Sequence, residues 1–174
     1  TDRDPATMAE YQPLLPMFEL MHELFGILNV RRRRRGSIDF DLPEPEVVMD
    51  DQGLIENIII AERNVAHRII EEFMLLANET VAEFIAEQEA PGLYRVHEQP
   101  DDVKVGQFEE FIEGFGYSLA TSSSAIRPRH FQKLVERIKG KPEEKPIALL
   151  MLRTMQKARY AHVNLGHFGL AAPY

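Results

Sequence analysis

The stretch NVAHRIIEEFMLLANETVAEFIAEQ, residues 64 to 88, carries the clearest secondary-structure signal in the chain. Its apolar residues recur three and four positions apart, the spacing that places side chains on one face of an α-helix. The pattern predicts one long amphipathic helix. Its apolar face consists of Ile69, Ile70, Phe73, Leu76, Ala77, Val81 and Phe84.

A second row of side chains runs along another side of the same helix and has an unusual composition. Its members, Asn64, His67, Glu71 and Asn78, are separated by 3, 4 and 7 positions and therefore share one side. Neighbouring Met74 and Leu75 make that side less polar. Because an ordinary solvated helix face would carry more Lys and Glu, the row predicts a side that looks into a cleft.

Each polar residue of this row also has an ordinary structural explanation. Asn64 suits the N-cap of the helix, and Asn78 can bond to a neighbouring backbone. His67 can be a buried histidine with satisfied hydrogen bonds, and one of the adjacent Glu71 and Glu72 is expected to be simply solvated. His67 and Glu71, four positions apart, can also be two metal ligands, although no matching partners stand elsewhere in the chain. The residues alone leave these readings open.

A run of five arginines, Arg31 to Arg35, ends an upstream helix that is predicted to extend from about Pro13 to about Arg34. Successive helical residues turn by about 100°, so five of them cover the whole circumference. We therefore expect the helix to extend past the core and to end at Gly36, since glycine and cations both suit a helix C-terminus. The run is interpreted as structural, with weak attraction to RNA as a secondary role.

The remaining segments predict short strands and three further helices. Val47 to Met49 and Leu54 to Ile60 flank DDQG and form a hairpin signal with Gly53 in the turn. LYRVHE is a strand candidate, ATSSSAIRP is predicted to be a loop, and VNLGHFGLAAPY is predicted to be extended or irregular. The three further helices are predicted in DDVKVGQFEEFIEGFGYSL, RHFQKLVERIKG and KPIALLMLRTMQKARY. The predicted class is α+β and mostly helical, with long central helices and a small hairpin or sheet, and residues 1–174 form one domain piece.

Composition and charge restrict the kind of protein. The 174 residues contain no cysteine, which excludes disulfides and thiolate metal sites, and no apolar run is long enough for a membrane span. The chain also lacks a Gly-rich phosphate loop, a G-x-S-x-G elbow, an H-E-x-x-H helix and an EF-hand loop. Residues 1–35, 36–120 and 121–174 carry net charges of +1, −16 and +7. The basic last third either faces a polyanion or packs beside an acidic layer.

Four segments, RGSIDFDLPEPE, ERNVAHRIIEEFMLLAN, LYRVHEQP and NLGHFGLA, together resemble the RNB catalytic domain of the ribonuclease II / ribonuclease R family. The resemblance extends from about Tyr11 to Tyr174 and is closer to the ribonuclease R branch. It implies a cytoplasmic, monomeric parent enzyme that hydrolyses single-stranded RNA processively from the 3′ end to nucleoside monophosphates, with Mg²⁺ as cofactor. The last nucleotides would enter a narrow channel and stack on aromatic side chains.

The same resemblance implies roles for individual residues. Glu71, the first glutamate of HRIIEEFM, matches the catalytic-pocket glutamate at the RNA 3′ end, and Phe40 of GSIDFD matches the aromatic residue that stacks on the terminal bases. Residues of the helix motif that are expected to line or brace the pocket are Asn64, His67 and Asn78. Residues of other family motifs that are expected to bind substrate, without an assigned role, are Arg95, His97 and His167.

Several parts of the family pattern are expected outside this chain. The metal-binding aspartates and a tyrosine near the scissile phosphate would precede Thr1, a TSPIRRY motif with the catalytic arginine would follow Tyr174, and the flanking RNA-binding barrels are absent. No DDIDD-like run is present, and PDD at 100–102 predicts a helix start. The chain is therefore expected to be an internal fragment that neither hydrolyses RNA alone nor holds Mg²⁺ tightly. The alternatives are a non-catalytic helical domain that binds RNA or protein, and a small metal enzyme built on His67 and Glu71.

Overall fold

The computed structural model describes residues 4–40, 45–60, 63–119 and 125–173, which contain six α-helices and four short strands. The helices are α1 (Pro5–Glu10), α2 (Leu15–Arg35), α3 (Val65–Glu87), α4 (Asp102–Glu113), α5 (Pro128–Ile138) and α6 (Glu144–Thr154). The strands are β1 (Pro45–Met49), β2 (Ile55–Ile60), β3 (Tyr94–Val96) and β4 (Arg159–Ala161), and 3₁₀ turns cover Gln12–Leu14 and Phe168–Leu170. The predicted α+β class is confirmed, whereas residues 120–124 of the predicted loop lie outside the described ranges. Among the described helices, none is both long enough and apolar enough to cross a membrane.

The helices α2 and α3 lie side by side and run in the same direction. Arg68 lies over the Phe25 ring, 5.6 Å from its centroid, and further along both helices Arg35 pairs with Glu79 at 2.6 Å. Because the residue numbers of the contacting pairs increase along both helices, the two helices run parallel. Charged side chains therefore carry part of this helix contact, where apolar ridges are more usual.

The start of α3 agrees with the prediction. The side-chain oxygen of Asn64 accepts hydrogen bonds from the N–H groups of Ala66 and His67 at 3.0 and 3.2 Å. In return, Nδ1 of His67 accepts a hydrogen bond from the Asn64 N–H at 3.3 Å, which completes a capping box. These bonds satisfy backbone donors that the first helical turn leaves without partners.

The orientation of α3 differs from the sequence expectation. Four residues of the predicted apolar face, Ile70, Leu76, Val81 and Phe84, are 60%, 41%, 56% and 61% exposed. Glu72, by contrast, is buried on the side that meets α2. Periodicity tells which side chains share a face but not which face meets the rest of the molecule, so tertiary packing decides the orientation.

The strands β1 and β2 form the predicted antiparallel hairpin. Val47 lies opposite Ile58, and Gly53 stands in the turn with φ +79°. A positive φ favours glycine because it has no Cβ to clash with the backbone. The described strand residues are exposed almost throughout, so the hairpin adds little to the core.

The second sheet corrects a prediction. The sequence predicts a helix throughout KPIALLMLRTMQKARY, but α6 ends at Thr154 and β4 pairs antiparallel with β3, with Tyr160 opposite Arg95. The prediction of a strand in LYRVHE is confirmed. Pairing with a strand distant in sequence satisfies the backbone of β4 and outweighs the local helical pattern.

The hydrophobic core lies between α4, α5 and α6. The rings of Phe108 and Phe131 are 6.0 Å apart, and Phe131 is also 6.0 Å from Phe168 of the last 3₁₀ turn. Ile38 of the loop after α2 joins the same core. Further buried members are Val105, Ile112, Leu134, Ile138, Ile147 and Met151. This core supports the loop after α2 and the segment around Phe168, which carry the candidate site.

The arginine run ends α2 at Gly36, as predicted, with φ +103° at that glycine. The expectation that the helix extends past the core is wrong. Arg32 is only 8% exposed and contacts a buried glutamate of α3, while Arg33 pairs with Glu136 of α5 at 3.1 Å. Because neighbouring arginines leave the helix in different directions, the run reaches partners on two other helices. Its structural interpretation agrees with these contacts.

Candidate functional site

Alternating charges link α2, α3 and the loop that follows α2. Arg32 contacts Glu72 at 2.7 Å and lies 3.8 Å from Asp39. Arg63 contacts Asp39 at 3.5 Å and Glu71 at 2.7 Å. Asp39 thus joins the two halves of one network, which we call the charge network and which consists of these two arginines and three carboxylates.

The adjacent Glu71 and Glu72 occupy different environments within the charge network. The side chain of Glu72 is 5% exposed and accepts hydrogen bonds from Asn29 at 2.9 Å and from Arg32 at 2.8 Å. The side chain of Glu71 is 35% exposed and pairs with Arg63. The expectation that one of the two is simply solvated is wrong, since both carry ion pairs. Glu72 is enclosed by protein, whereas Glu71 keeps part of its carboxylate open to solvent.

The other three residues of the predicted polar row are exposed. The N-cap reading of Asn64 is confirmed, and the reading of His67 as a buried histidine is wrong, because its ring completes the capping box at the helix surface. Asn78 lies about two turns beyond Glu71 on the same helix. Contact of these three side chains with a ligand stays a prediction.

Phe40 stands where the loop after α2 meets the segment around Phe168. The Ile38 N–H donates to the Gly169 carbonyl at 2.8 Å, and the Ser37 hydroxyl lies 3.3 Å from the same oxygen. Phe40 is half-buried, packs against the core and lines a cavity on each of two sides. None of the described residues that line the larger of these cavities belongs to the charge network, but the smaller one is lined by both Asp39 and Phe40.

His97 and His167 join β3 to the last segment of the chain. Their ring centroids are 5.0 Å apart with an interplanar angle of 68°. Nδ1 of His97 accepts a hydrogen bond from the Gly169 N–H at 3.0 Å, and Nδ1 of His167 accepts one from the Leu170 N–H at 3.2 Å. An accepting nitrogen carries no proton, so both rings are neutral with the proton on Nε2. A Cβ at Gly169 would lie 2.9 Å from His97 Nδ1, which explains the glycine there.

Burial keeps both histidines neutral. Burial, together with the neighbouring His97 and Arg95, lowers the pKa of His167 to about 4, against the backbone hydrogen bond of His167 and the attraction of Glu79. Burial also lowers the pKa of His97, whose Nε2 is enclosed by protein, against the opposing effect of the Gln156 backbone. Neither ring is therefore a cation at neutral pH, and any contact with a phosphate would be that of a neutral donor.

A cavity of about 800 Å³, which we call the histidine cavity, brings together four of the predicted residues. They are Phe40, Arg95, His97 and His167. The Arg95 guanidinium lies over the Tyr160 ring, 5.0 Å from its centroid, and so rests on the β3–β4 sheet. An aromatic ring and cations around one cavity suit a ligand that carries both planar bases and negative charge.

The carboxylates of the charge network do not form a metal site. Asp39, Glu71 and Glu72 each face an arginine. Within residues 4–40, 45–60, 63–119 and 125–173, no group of three or more His, Asp or Glu residues is arranged to hold a metal ion. Magnesium requires several oxygen ligands without competing cations, so the described residues do not fit it.

Sequence reasoning missed three residues that the structure brings into the site. Arg63 bridges two carboxylates of the charge network, and Arg153 and Lys157 line the histidine cavity. No periodic pattern singles out Arg63, which precedes the N-cap of α3. The spacing of four between Arg153 and Lys157 is visible in the sequence, but the sequence predicts only that both lie on one helix.

Comparison with protein-family models gives one match that covers almost the whole chain. Residues 2–174 match the model described as RNB domain.

Curated relatives include several bacterial proteins named ribonuclease R. The protein of Aquifex aeolicus is 46% identical over 168 residues and that of Thermotoga maritima 41% identical over 170 residues, each alignment covering 97% of this chain. Ribonuclease R of Escherichia coli is 33% identical over 162 residues, covering 93% of this chain and 20% of its own length. The chain spans only 24% of the length of the first two relatives.

Solved structures share the fold. The apo form of Mycoplasma genitalium RNase R superposes with a TM-score of 0.88 at 24% identity, covering 93% of this chain and 25% of its own. The same enzyme in complex with double-stranded RNA gives a TM-score of 0.84 at 25% identity, covering 90% and 28%. Yeast Ssd1, described as a pseudonuclease, gives 0.55 at 29% identity and covers 64% of this chain and 14% of its own.

Proposed function

The chain belongs to the RNB domain family, and from this premise we propose that it is a segment of the catalytic domain of a 3′→5′ exoribonuclease. In this proposal the whole protein degrades single-stranded RNA processively by hydrolysis and releases nucleoside monophosphates. It acts as a monomer in the cytoplasm. This segment supplies the part of the site that receives the 3′ end of the strand.

The observation that carries the proposal is the position of Phe40. This ring lines the histidine cavity, and the adjacent Asp39 belongs to the charge network that holds Glu71. An aromatic side chain can stack on any base, which suits an enzyme that must accept every sequence. The Glu71 carboxylate, which Arg63 links to Asp39, can accept hydrogen bonds from ribose hydroxyls. The two residues that the resemblance assigns to the RNA end are therefore linked through Asp39 and Arg63.

The chemistry requires more than these residues. We propose that hydrolysis requires Mg²⁺, which carboxylates outside this chain would hold and which would supply an activated water and charge stabilisation of the leaving oxygen. The residues of this chain bind and orient the strand: Phe40 stacks on a terminal base, Glu71 contacts the terminal ribose, and Arg63 holds the Glu71 carboxylate in place.

The test compares Glu71→Gln with Glu72→Gln in the full-length protein. Glu71→Gln is expected to lower turnover about 10²-fold by misplacing the 3′ end, with RNA affinity retained. Glu72→Gln is expected to lower the free energy of unfolding by about 3 kcal/mol, because it leaves buried Arg32 with only the more distant Asp39, 3.8 Å away, as a charged partner. Turnover is measured by the shortening of end-labelled single-stranded RNA, affinity by fluorescence anisotropy and stability by urea titration.

A second function, a non-catalytic RNA-binding domain, is favoured by one observation, the shared fold of yeast Ssd1, which is described as a pseudonuclease. Under that alternative, Glu71→Gln leaves RNA affinity unchanged and there is no turnover to lose. Full turnover in the Glu71→Gln protein would instead contradict the role assigned to Glu71.

A further inference from the structure

Two cations of the histidine cavity have no role in the function proposed so far. Arg153 belongs to the last turn of α6, Lys157 follows in the segment that leads to β4, and both are exposed. In the described part of the chain, neither forms an ion pair with a carboxylate, whereas Arg32, Arg33 and Arg35 each have one. Their side chains are therefore open to an anion from outside the chain.

The composition of the cavity wall strengthens this point. Three cations, Arg95, Arg153 and Lys157, line the histidine cavity, and none of its described lining residues is an Asp or a Glu. A second cavity, of about 340 Å³ between α2 and α3, also contains arginines, but Glu72 and Glu79 line it as well. In a chain with a formal net charge of −8, a cavity wall with only positive charges is a local departure from the average. Such a wall concentrates anions.

The neighbouring groups specify the class of anion. Phe40 lines the same cavity, and Arg95 stacks on Tyr160, whose side chain is 67% exposed. Grooves for single-stranded nucleic acid combine cations that follow the backbone with aromatic rings that stack on bases. A volume of about 800 Å³ lies within the range of ligand pockets. The two histidines of the wall are neutral, so the positive charge comes from the three cations alone.

We propose that Arg153 and Lys157 contact phosphates of the single-stranded RNA whose terminal base stacks on Phe40. This inference rests on the proposed function and deepens it by naming the residues that hold the backbone in the cavity. Arg153 lies on the rigid last turn of α6, whose Met151 is fully buried, so its position is defined by the core. Lys157, on the connecting segment, can follow the next phosphate along the strand.

The experiment measures RNA affinity as a function of salt in the full-length protein. The probe is a fluorescent single-stranded oligoribonucleotide, titrated between about 50 and 200 mM salt, and the variant is Arg153→Gln with Lys157→Gln. Each lost phosphate contact reduces the slope of log affinity against log salt by about 0.7 for a single strand, so the pair should reduce it by about 1.4. At about 100 mM salt the affinity should fall by roughly 25-fold.

The matched control removes the same charge elsewhere. Lys104→Gln with Lys133→Gln changes two exposed lysines of α4 and α5 that do not line the cavity, and it should leave the slope close to that of the unchanged protein. Arg153→Lys alone should keep most of the salt slope of the unchanged protein, because the same turn of α6 still carries a cation. Thermal melting of all variants should match the unchanged protein, since the replaced side chains are exposed.

The outcomes separate the two proposals. If the unchanged protein binds and shortens RNA but the cavity variant keeps its full salt slope, the inference on Arg153 and Lys157 is wrong while the proposed function stands. Equal losses in the cavity and control variants also overturn it, because they would reflect net charge alone. If the unchanged protein neither binds nor shortens RNA, the proposed function fails and this inference fails with it.

Discussion

Single side chains hold together two segments that are distant in the sequence. The Gly169 N–H and His97 are 72 positions apart, yet they share a hydrogen bond of 3.0 Å. The Gly169 carbonyl in turn accepts the Ile38 N–H at 2.8 Å. His97 therefore supports, through one glycine, the loop that carries Phe40, and its neutral state matters for that support.

The stability of the protein should depend on pH through this histidine pair. The pKa of His167 is about 4 in the folded chain, against an ordinary value of 6.5, so between these values the unfolded chain binds a proton that the folded chain does not. The free energy of unfolding should consequently fall as pH falls from 6.5 to about 4. Because the ring is only partly buried, screening by solvent reduces the expected loss to roughly 1 to 2 kcal/mol.

Urea unfolding across this pH range checks the expectation, with His97→Asn plus His167→Asn as the comparison. The asparagine oxygen can accept the same backbone N–H but does not titrate. The double variant should lose less stability on acidification than the unchanged protein, since carboxylates contribute equally to both. Identical pH profiles would show that the histidines do not carry the effect.

Among the secondary-structure elements, α2 depends on a close approach at its end. Gly36 has φ +103°, and a Cβ there would lie 3.2 Å from Cβ of Arg129 at the start of α5. Gly53 in the β1–β2 turn also has a positive φ, +79°, but nothing in the described part of the chain lies within 4 Å of its added Cβ. Alanine variants at the two glycines therefore distinguish the cost of backbone strain from the cost of steric crowding.

Gly36→Ala should destabilise the protein more than Gly53→Ala. Backbone strain alone is expected to cost about 1 kcal/mol in the turn variant. The helix variant adds the displacement of α5 and should cost about 2 to 3 kcal/mol. Chemical unfolding of both variants measures the difference, and equal losses would mean that the start of α5 moves freely to accept the methyl group.

For the whole molecule, the distribution of apolar surface is uneven. The core lies between α4, α5 and α6, while α2, α3 and the hairpin expose many large apolar side chains. Examples on α2 and the hairpin are Leu20, Ile27, Ile55 and Ile60, which are 65%, 53%, 66% and 69% exposed. Large exposed apolar areas of this kind favour association with other surfaces.

The 174 residues alone are expected not to hydrolyse RNA. The reason is that the carboxylates of the charge network pair with arginines and are not free to hold a metal ion. A second expectation is that the exposed apolar faces cause concentration-dependent association of the chain. Incubation of the chain with labelled single-stranded RNA and Mg²⁺ tests the first expectation, and sedimentation velocity at several concentrations tests the second. Magnesium-dependent shortening of the RNA by this chain alone would overturn the expectation that the metal ligands lie outside it.

Much of the fold, and some residues of the candidate site, can be predicted from the sequence. The amphipathic pattern of α3, the cap at Asn64, the end of α2 at Gly36 and the turn at Gly53 can all be predicted, because each depends on neighbours within a few positions. The family motifs, taken together, point to Phe40 and Glu71 without any knowledge of the geometry.

Contacts between distant segments are decided only by the tertiary structure. Periodicity cannot tell that the apolar face of α3 stays open while Glu72 turns inward, or that β4 leaves the helical pattern to pair with β3. The bridge made by Arg63 and the cavity shared by Phe40 and Arg153 join residues with no local signal between them. Local preferences extend over about one turn of chain, whereas these contacts depend on how the core brings remote segments together.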